Sequence, residues 1–143
     1  MDELIYDRTA QDVEYALSHP DDVSFLKGAY NYTDLNRVES WCQYLANLLT
    51  GYGYPVSIIT KTNWTMEDFP TQANMERIRQ NVQALKNAYY STTSMPTSLE
   101  NMTYDKANAI EKILNEIDTY SKNMIASFLY SGTFYSGESE VLI

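Results

Sequence analysis

The stretch Thr103-Tyr104-Asp105-Lys106-Ala107-Asn108-Ala109-Ile110-Glu111-Lys112-Ile113-Leu114-Asn115-Glu116-Ile117-Asp118-Thr119-Tyr120 decides the fold class. Ile110, Ile113, Ile117 and Tyr120 recur at steps of three and four, and Met124 and Phe128 continue the series. That spacing is one face of an amphipathic helix. Leu114, Ile125 and Leu129 widen the stripe. Thr103 suits an N-cap, because its hydroxyl can accept an unpaired N–H of the first turn. From Thr103 to Tyr130 such a helix would run about 40 Å, enough to span a domain of this size.

Moving outward, the same period appears upstream. Met75, Ile78, Val82, Leu85 and Tyr89 predict a second helix, preceded by Pro70 and capped by Thr71. Leu35, Val38, Cys42, Leu45 and Leu49 predict a third, with Thr33 as cap, Asp34 at the positive end of the dipole and Gly51 as a left-handed stop. Ala10, Val13 and Leu17 predict a short helix capped by Thr9, with Asp12 completing a capping box. It ends at His19-Pro20, since a residue before proline leaves the α region. Asp21 to Leu26 could add one more turn, closed by Gly28. Leu45, Val82 and Ile113 sit mid-stripe and are the expected centre of one core. The expectation is an all-α domain over 1–143, a three- or four-helix antiparallel bundle. Its parts are a short helix and turn in 1–30, main helices in 31–130 and an aromatic-Ser-Gly arm in 131–143. A small β element is a candidate near 56–62, where Val56-Ser57-Ile58-Ile59-Thr60 is β-branched, or near 131–138.

Composition excludes several classes. The chain has 143 residues, 44% hydrophobic and 20% charged, with 19 acidic against 10 basic residues and a net charge of -9. Contacts with a nucleic-acid backbone need Lys and Arg to displace counterions, so no nucleic-acid partner is expected. The same balance disfavours a polybasic membrane contact, and no apolar run reaches the ~18 residues of a span. One cysteine forms no internal disulfide. Met1-Asp2-Glu3-Leu4 is acidic where a secretory signal is basic.

Catalytic constellations are sparse. His19 is the single histidine, so a metal site or a Ser-His-Asp triad would have to use it, and it sits at a helix end. Cys42 lies on an apolar stripe, where a free thiol packs as a small hydrophobe. Asp21/Asp22 and Glu67/Asp68 lack the spacing of a calcium loop and read as caps and surface charges. There is no phosphate-binding glycine loop. No metal, cofactor or catalytic residue is expected. Three Asn-x-Thr triplets start at Asn31, Asn63 and Asn101, and their threonines read as caps rather than as parts of glycosylation sites. Similar Thr-led starts at Thr33, Thr71 and Thr103 allow either a helix duplication or repeated capping chemistry.

Tyrosine stands out at 13 residues. Tyr52 and Tyr54 lie in a Gly-Tyr-Gly-Tyr-Pro loop, and Tyr130, Phe134 and Tyr135 lie in the aromatic-Ser-Gly repeat. These five are the candidate interaction residues. Tyrosine buries area at low entropy cost and suits interfaces and sugar stacking. The competing reading is that the tyrosines close the ends of the bundle with their hydroxyls in water.

Five segments carry a resemblance: Ile5-Tyr6-Asp7-Arg8-Thr9-Ala10-Gln11-Asp12-Val13, Gly28 to Glu39, Trp64-Thr65-Met66-Glu67-Asp68-Phe69-Pro70-Thr71, Leu99 to Tyr104, and Tyr130 to Glu138. In this order the chain resembles helical modules of phage or prophage tail and minor structural proteins in Firmicutes. The resemblance implies a non-enzymatic structural or interaction module of a virion. Its partners would be other virion proteins or a second copy of itself, and its place the bacterial cytoplasm during assembly and then the virion. It brings no catalytic residues. The alternative function is binding of cell-surface carbohydrate through the loop tyrosines.

Overall fold

The computed structural model describes residues 1–22 and 24–134, with side chains to 128. Over these residues the protein is all-α. Four helices are present: α1 (Ala10–Ser18), α2 (Tyr32–Gly51), α3 (Gln72–Ala88) and α4 (Tyr104–Phe134). Helices α2, α3 and α4 pack pairwise around one core. Leu45, Val82 and Ile113 are fully buried in it, each from a different helix, as their mid-stripe positions predict.

The starts of the helices follow the capping chemistry, with one shift. Thr9 caps α1 in a box with Asp12, and Thr71 caps α3 in a box with Asn74. The Thr103 hydroxyl accepts the Lys106 N–H at 3.3 Å. The N-cap of α2 lies two residues before the predicted Thr33. Asn31 is its N-cap, accepting from the Thr33 N–H at 2.9 Å, and Asp34 closes the box on the Asn31 N–H at 2.9 Å. Its end also differs: Gly51 is the last helical residue, Tyr52 is the C-cap, and Gly53 takes the positive φ of 94°. Among the described residues between α1 and α2 there is no further helical turn beyond a bend from His19 to Asp22. A turn from Leu26 to Ala29 occupies the region instead.

The antiparallel expectation is overturned. Arg37 early in α2 meets Glu111 early in α4 at 2.6 Å, while Lys122 later in α4 lies 5.5 Å from the Tyr44 ring later in α2. Gln72 at the start of α3 reaches Glu100, just before α4, at 2.7 Å. At the other end the Tyr89 hydroxyl donates to the Tyr120 carbonyl at 3.3 Å. Glu39 meets Arg77 at 2.6 Å, and Tyr54, just past α2, stacks edge-on against Tyr89, just past α3, at 5.2 Å. All three helices therefore point the same way. Each connection must run back the length of the bundle.

That return path explains the missing β element at 56–62. The segment is extended, with alternating inward and outward residues, but its partners are side chains of α2 and, at the Ile59 carbonyl, Arg77 and Asn81 of α3. Val56 N–H donates to the Thr50 hydroxyl at 3.1 Å, the Thr60 hydroxyl donates to Gln43 at 3.2 Å, Lys61 N–H to Glu39 at 3.0 Å, and Trp64 N–H to Asn36 at 2.8 Å. No second strand pairs with it among the described residues, so the backbone is strand-like without a sheet. At the other candidate position, 131–134 is helical as the end of α4, and 135–138 lies outside the described residues.

Candidate binding cleft

The parallel arrangement brings the starts of α2, α3 and α4 to one end of the molecule. There a cleft of about 1040 Å³ opens. Val13 and Leu17 of α1 form one wall, and Leu35, Met75 and Ala107 enter from the three core helices. Met66 comes from the first return connection, and Leu99 and Met102 from the second. The surface is predominantly apolar. Leu17 is 78% and Met66 75% exposed, a wet apolar rim that folding has left uncovered. Phe69, between the lining residues Asp68 and Pro70, is 87% exposed.

Gly28 explains how the α1 wall stands so close. A Cβ at this position would lie 2.1 Å from the Asp12 carbonyl oxygen, a backbone atom that cannot swing away. Only glycine allows α1 to pack on this turn.

The Arg8 guanidinium on the lining is held by a buried charged network beneath it. Arg8 is 4% exposed. Its Nε donates to the Lys27 carbonyl at 2.9 Å and its Nη1 to the Ile5 carbonyl at 2.9 Å. Its Nη2 donates to Asp34 at 3.1 Å and to Glu111 at 2.8 Å. A longer contact joins Nη1 to Asn108 at 3.4 Å. These bonds engage the guanidinium fork fully. Arg37 completes the network through Asp34 and Glu111, both at 2.6 Å. Burial alone would lower the Arg37 pKa, but bonds and charge from Glu111 and Asp34 outweigh it and raise the pKa. Burial, reinforced by Glu111 and Asp34, pushes the neighbouring Tyr30 phenol far up, so it stays protonated. The cleft therefore offers mainly apolar surface and neutral hydroxyls beside the engaged Arg8, with the charged side chains of Lys27, Asp68 and Asp105 also on its lining. Its chemistry is suited to a mainly apolar occupant.

Two further buried glutamates do similar structural work. Glu39 accepts from Lys61 N–H at 3.0 Å, Trp64 Nε1 at 2.6 Å and Arg77 Nη1 at 2.6 Å, pinning the first return connection. Glu116 accepts from the hydroxyls of Ser91 at 2.8 Å, Thr92 at 2.5 Å and Thr93 at 2.6 Å, pinning the second. These residues escaped sequence reasoning because each stands one position from an apolar stripe. The signal was there: Asp34 and Arg37 are a helical i,i+3 pair of opposite charge beside Leu35 and Val38.

The predicted interaction residues fall elsewhere. Tyr52 and Tyr54 are half-buried at the opposite end, where Tyr89, Tyr90 and Tyr120 join them. Tyr130 and Phe134 belong to α4, with side chains outside the description, and Tyr135 lies outside the described residues. The structure thus gathers Tyr52 and Tyr54 into one aromatic end, distinct from the cleft. His19 is the C-cap of α1, exposed and stacked on Tyr15 at 3.9 Å. Cys42 is buried, and burial with the nearby Glu39 carboxylate pushes its thiol pKa well up. Asp22 and Asp68 act as local caps, on Ser24 at 2.9 Å and Thr65 at 2.8 Å. Among the described residues, no helix is long and apolar enough to cross a membrane. No family model, no curated protein and no solved structure matches the chain.

Proposed function

We propose that the chain is a non-enzymatic structural or interaction module of a phage or prophage virion, tail-associated, that works by binding another virion protein or a second copy of itself. The supporting observation is the cleft, an apolar recess with an exposed rim at the end where three helices begin. Exposed apolar surface of this kind marks contact sites. The buried charges support the same reading, because Glu39, Glu111 and Glu116 are each engaged in holding a chain segment and not poised towards a substrate. The sequence resemblance supplies the virion context, with the bacterial cytoplasm as the place of assembly. The reading involves no cofactor, nucleic acid or membrane. Mass spectrometry of purified particles from the lysogen carrying the gene tests it. The chain should be recovered in particles at a fixed ratio to the major structural proteins. Its absence from particles, with the chain present in the lysate, would remove the virion assignment.

Carbohydrate binding is a second reading, favoured by the aromatic end. Tyr90 is 57% exposed there and lies 6.0 Å from the Tyr120 ring. Binding to purified host cell-wall polysaccharide that Tyr90→Ala abolishes would favour it.

A further inference from the structure

We infer that the cleft docks a basic amphipathic helix of a partner protein, with the apolar face of that helix in the cleft and its Lys or Arg side chains over the acidic mouth. This rests on the reading of the chain as an interaction module and specifies the partner's chemistry.

The apolar part of the site is uncovered and adaptable. Leu17 and Met66 on the rim, and Phe69 beside them, keep most of their surface in water. Three methionines, Met66, Met75 and Met102, line the cleft. An unbranched thioether side chain re-packs around different partner side chains with little strain. The volume of about 1040 Å³ lies at the top of the range for a single small ligand and has room for several side chains of one helix face. No strand is present among the described residues, so no sheet edge lies along the cleft to pair with an extended peptide. A helix satisfies its own backbone N–H and C=O groups, and it can lay an apolar face into such a recess without leaving them unpaired.

The charge at the mouth sets the sign of the partner. Asp68, Asp105 and Lys27 are on the lining. Asp7 and Asp12 flank the Lys27 ammonium at 3.3 and 3.8 Å, and the Lys61 ammonium lies 3.9 Å from Asp68. Glu67, exposed, stands between Met66 and Asp68. A shallower recess continues from the cleft across Pro70, Met75 and Leu99 and carries Glu100, whose carbonyl accepts from the Lys106 ammonium at 2.6 Å. Six carboxylates therefore share three ammonium groups here. The three helix starts add about half a positive charge each, together less than that excess. Arg8 and Arg37 cancel Asp34 and Glu111 inside the buried network, and Arg79 cancels Glu76 beside the recess. Every Lys and Arg of the chain lies within the residues whose side chains are described, so none elsewhere offsets the excess.

A basic amphipathic helix meets both halves of this surface. A second copy of the chain does not, because it brings a net charge of -9 to an acidic mouth. Complementary charge around an apolar contact speeds encounter and rejects partners of the wrong sign.

Fluorescence anisotropy on the full chain tests the assignment, with labelled helical peptides of about 18 residues as probes. The first carries Leu at helical spacing and Lys on the other face. The second replaces every Lys by Glu. The third scrambles the first, keeping its composition and losing the stripe. The first should bind at least tenfold more tightly than either of the others. Raising the ionic strength from about 0.05 M to about 0.5 M should weaken it at least fivefold, because exposed charges are then screened. Glu67→Lys and Met66→Ser, both at exposed positions, should each weaken it at least fivefold, while Tyr90→Ser at the opposite end leaves it unchanged. Circular dichroism checks that each variant is folded. If the scrambled peptide binds as well as the first, the attraction is charge alone and the inference is overturned. It is equally overturned if the Glu peptide binds as tightly, if no peptide binds, or if Tyr90→Ser weakens binding while the cleft variants do not. A chain recovered in purified particles that binds none of the peptides sinks this inference and leaves the virion reading standing. A chain that binds the first peptide as expected but is absent from particles does the reverse.

Discussion

Glu116 shows how much a single buried residue can carry. The residue is 8% exposed, and its carboxylate is held by hydroxyls from Ser91, Thr92, Thr93 and Tyr120. Burial by itself would raise its pKa. The hydroxyl donors, led by Thr92 and Thr93, overcome that and lower it to about 2. A folded pKa below the unfolded value means the carboxylate stabilises the fold above the unfolded pKa of 4.5. That contribution, on the order of 2–3 kcal/mol, is lost as pH falls from there through the folded pKa. Glu116→Gln should therefore be less stable than wild type at pH 7 by roughly that amount, with the gap closing as pH falls towards 2. Urea unfolding at a series of pH values measures it. A gap that stays constant down to low pH would mean that packing, and not the charge, holds the loop. Nothing in the local sequence announced this role. The stripe through Ile113 and Ile117 is legible because period is a local property, whereas three of the four residues that hold Glu116, Ser91, Thr92 and Thr93, lie more than twenty positions away in a loop.

At the level of elements, α1 depends on the turn beneath it. It contributes no buried residue, so its position comes from contact with the Gly28 turn and from the Lys27 ammonium near Asp12 at 3.8 Å. Gly28→Ala places a methyl group against the Asp12 backbone, and the helix has to move. The cost should be about 1–3 kcal/mol, typical of overpacking. Amide hydrogen exchange should rise over Ala10–Ser18 while α2, α3 and α4 keep their protection. Unchanged exchange in α1 would show that it does not rest on this turn. In the sequence, Gly28 reads as a helix stop. Its actual reason, a close backbone approach, requires knowing what packs on it. The extended segment 56–62 is a parallel case. Its alternation is visible in the residues and present in the burial, but the sequence does not say that the partner is a helix.

For the whole molecule, the decisive feature is direction. Periodicity reads the same whether neighbouring helices run together or oppositely, so the stripes of α2, α3 and α4 leave direction open. The connections carried the missing signal. Helix–helix connections in antiparallel bundles commonly take 2–8 residues. Here the chain from Tyr52 to Thr71 and from Tyr89 to Thr103 is long enough to return to the starting end, and it does so. The buried networks then join distant parts of the chain: Arg8 to Glu111, and Arg37 to Glu111. The arrangement is what places the cleft, because three helices begin together only if they point the same way. Spin labels at Asn47, late in α2, and Asn87, late in α3, both exposed, test it directly. Neighbouring helix axes lie about 8–10 Å apart, so the parallel bundle predicts a label separation of roughly 20 Å or less. An antiparallel pair would set Asn47 opposite the start of α3 and place Asn87 roughly another 20 Å away along the axis. A pulsed dipolar distance in the shorter range confirms that the helices run together. A longer distance, as the added axial offset of an antiparallel pair requires, would overturn both the bundle direction and the cleft built on it.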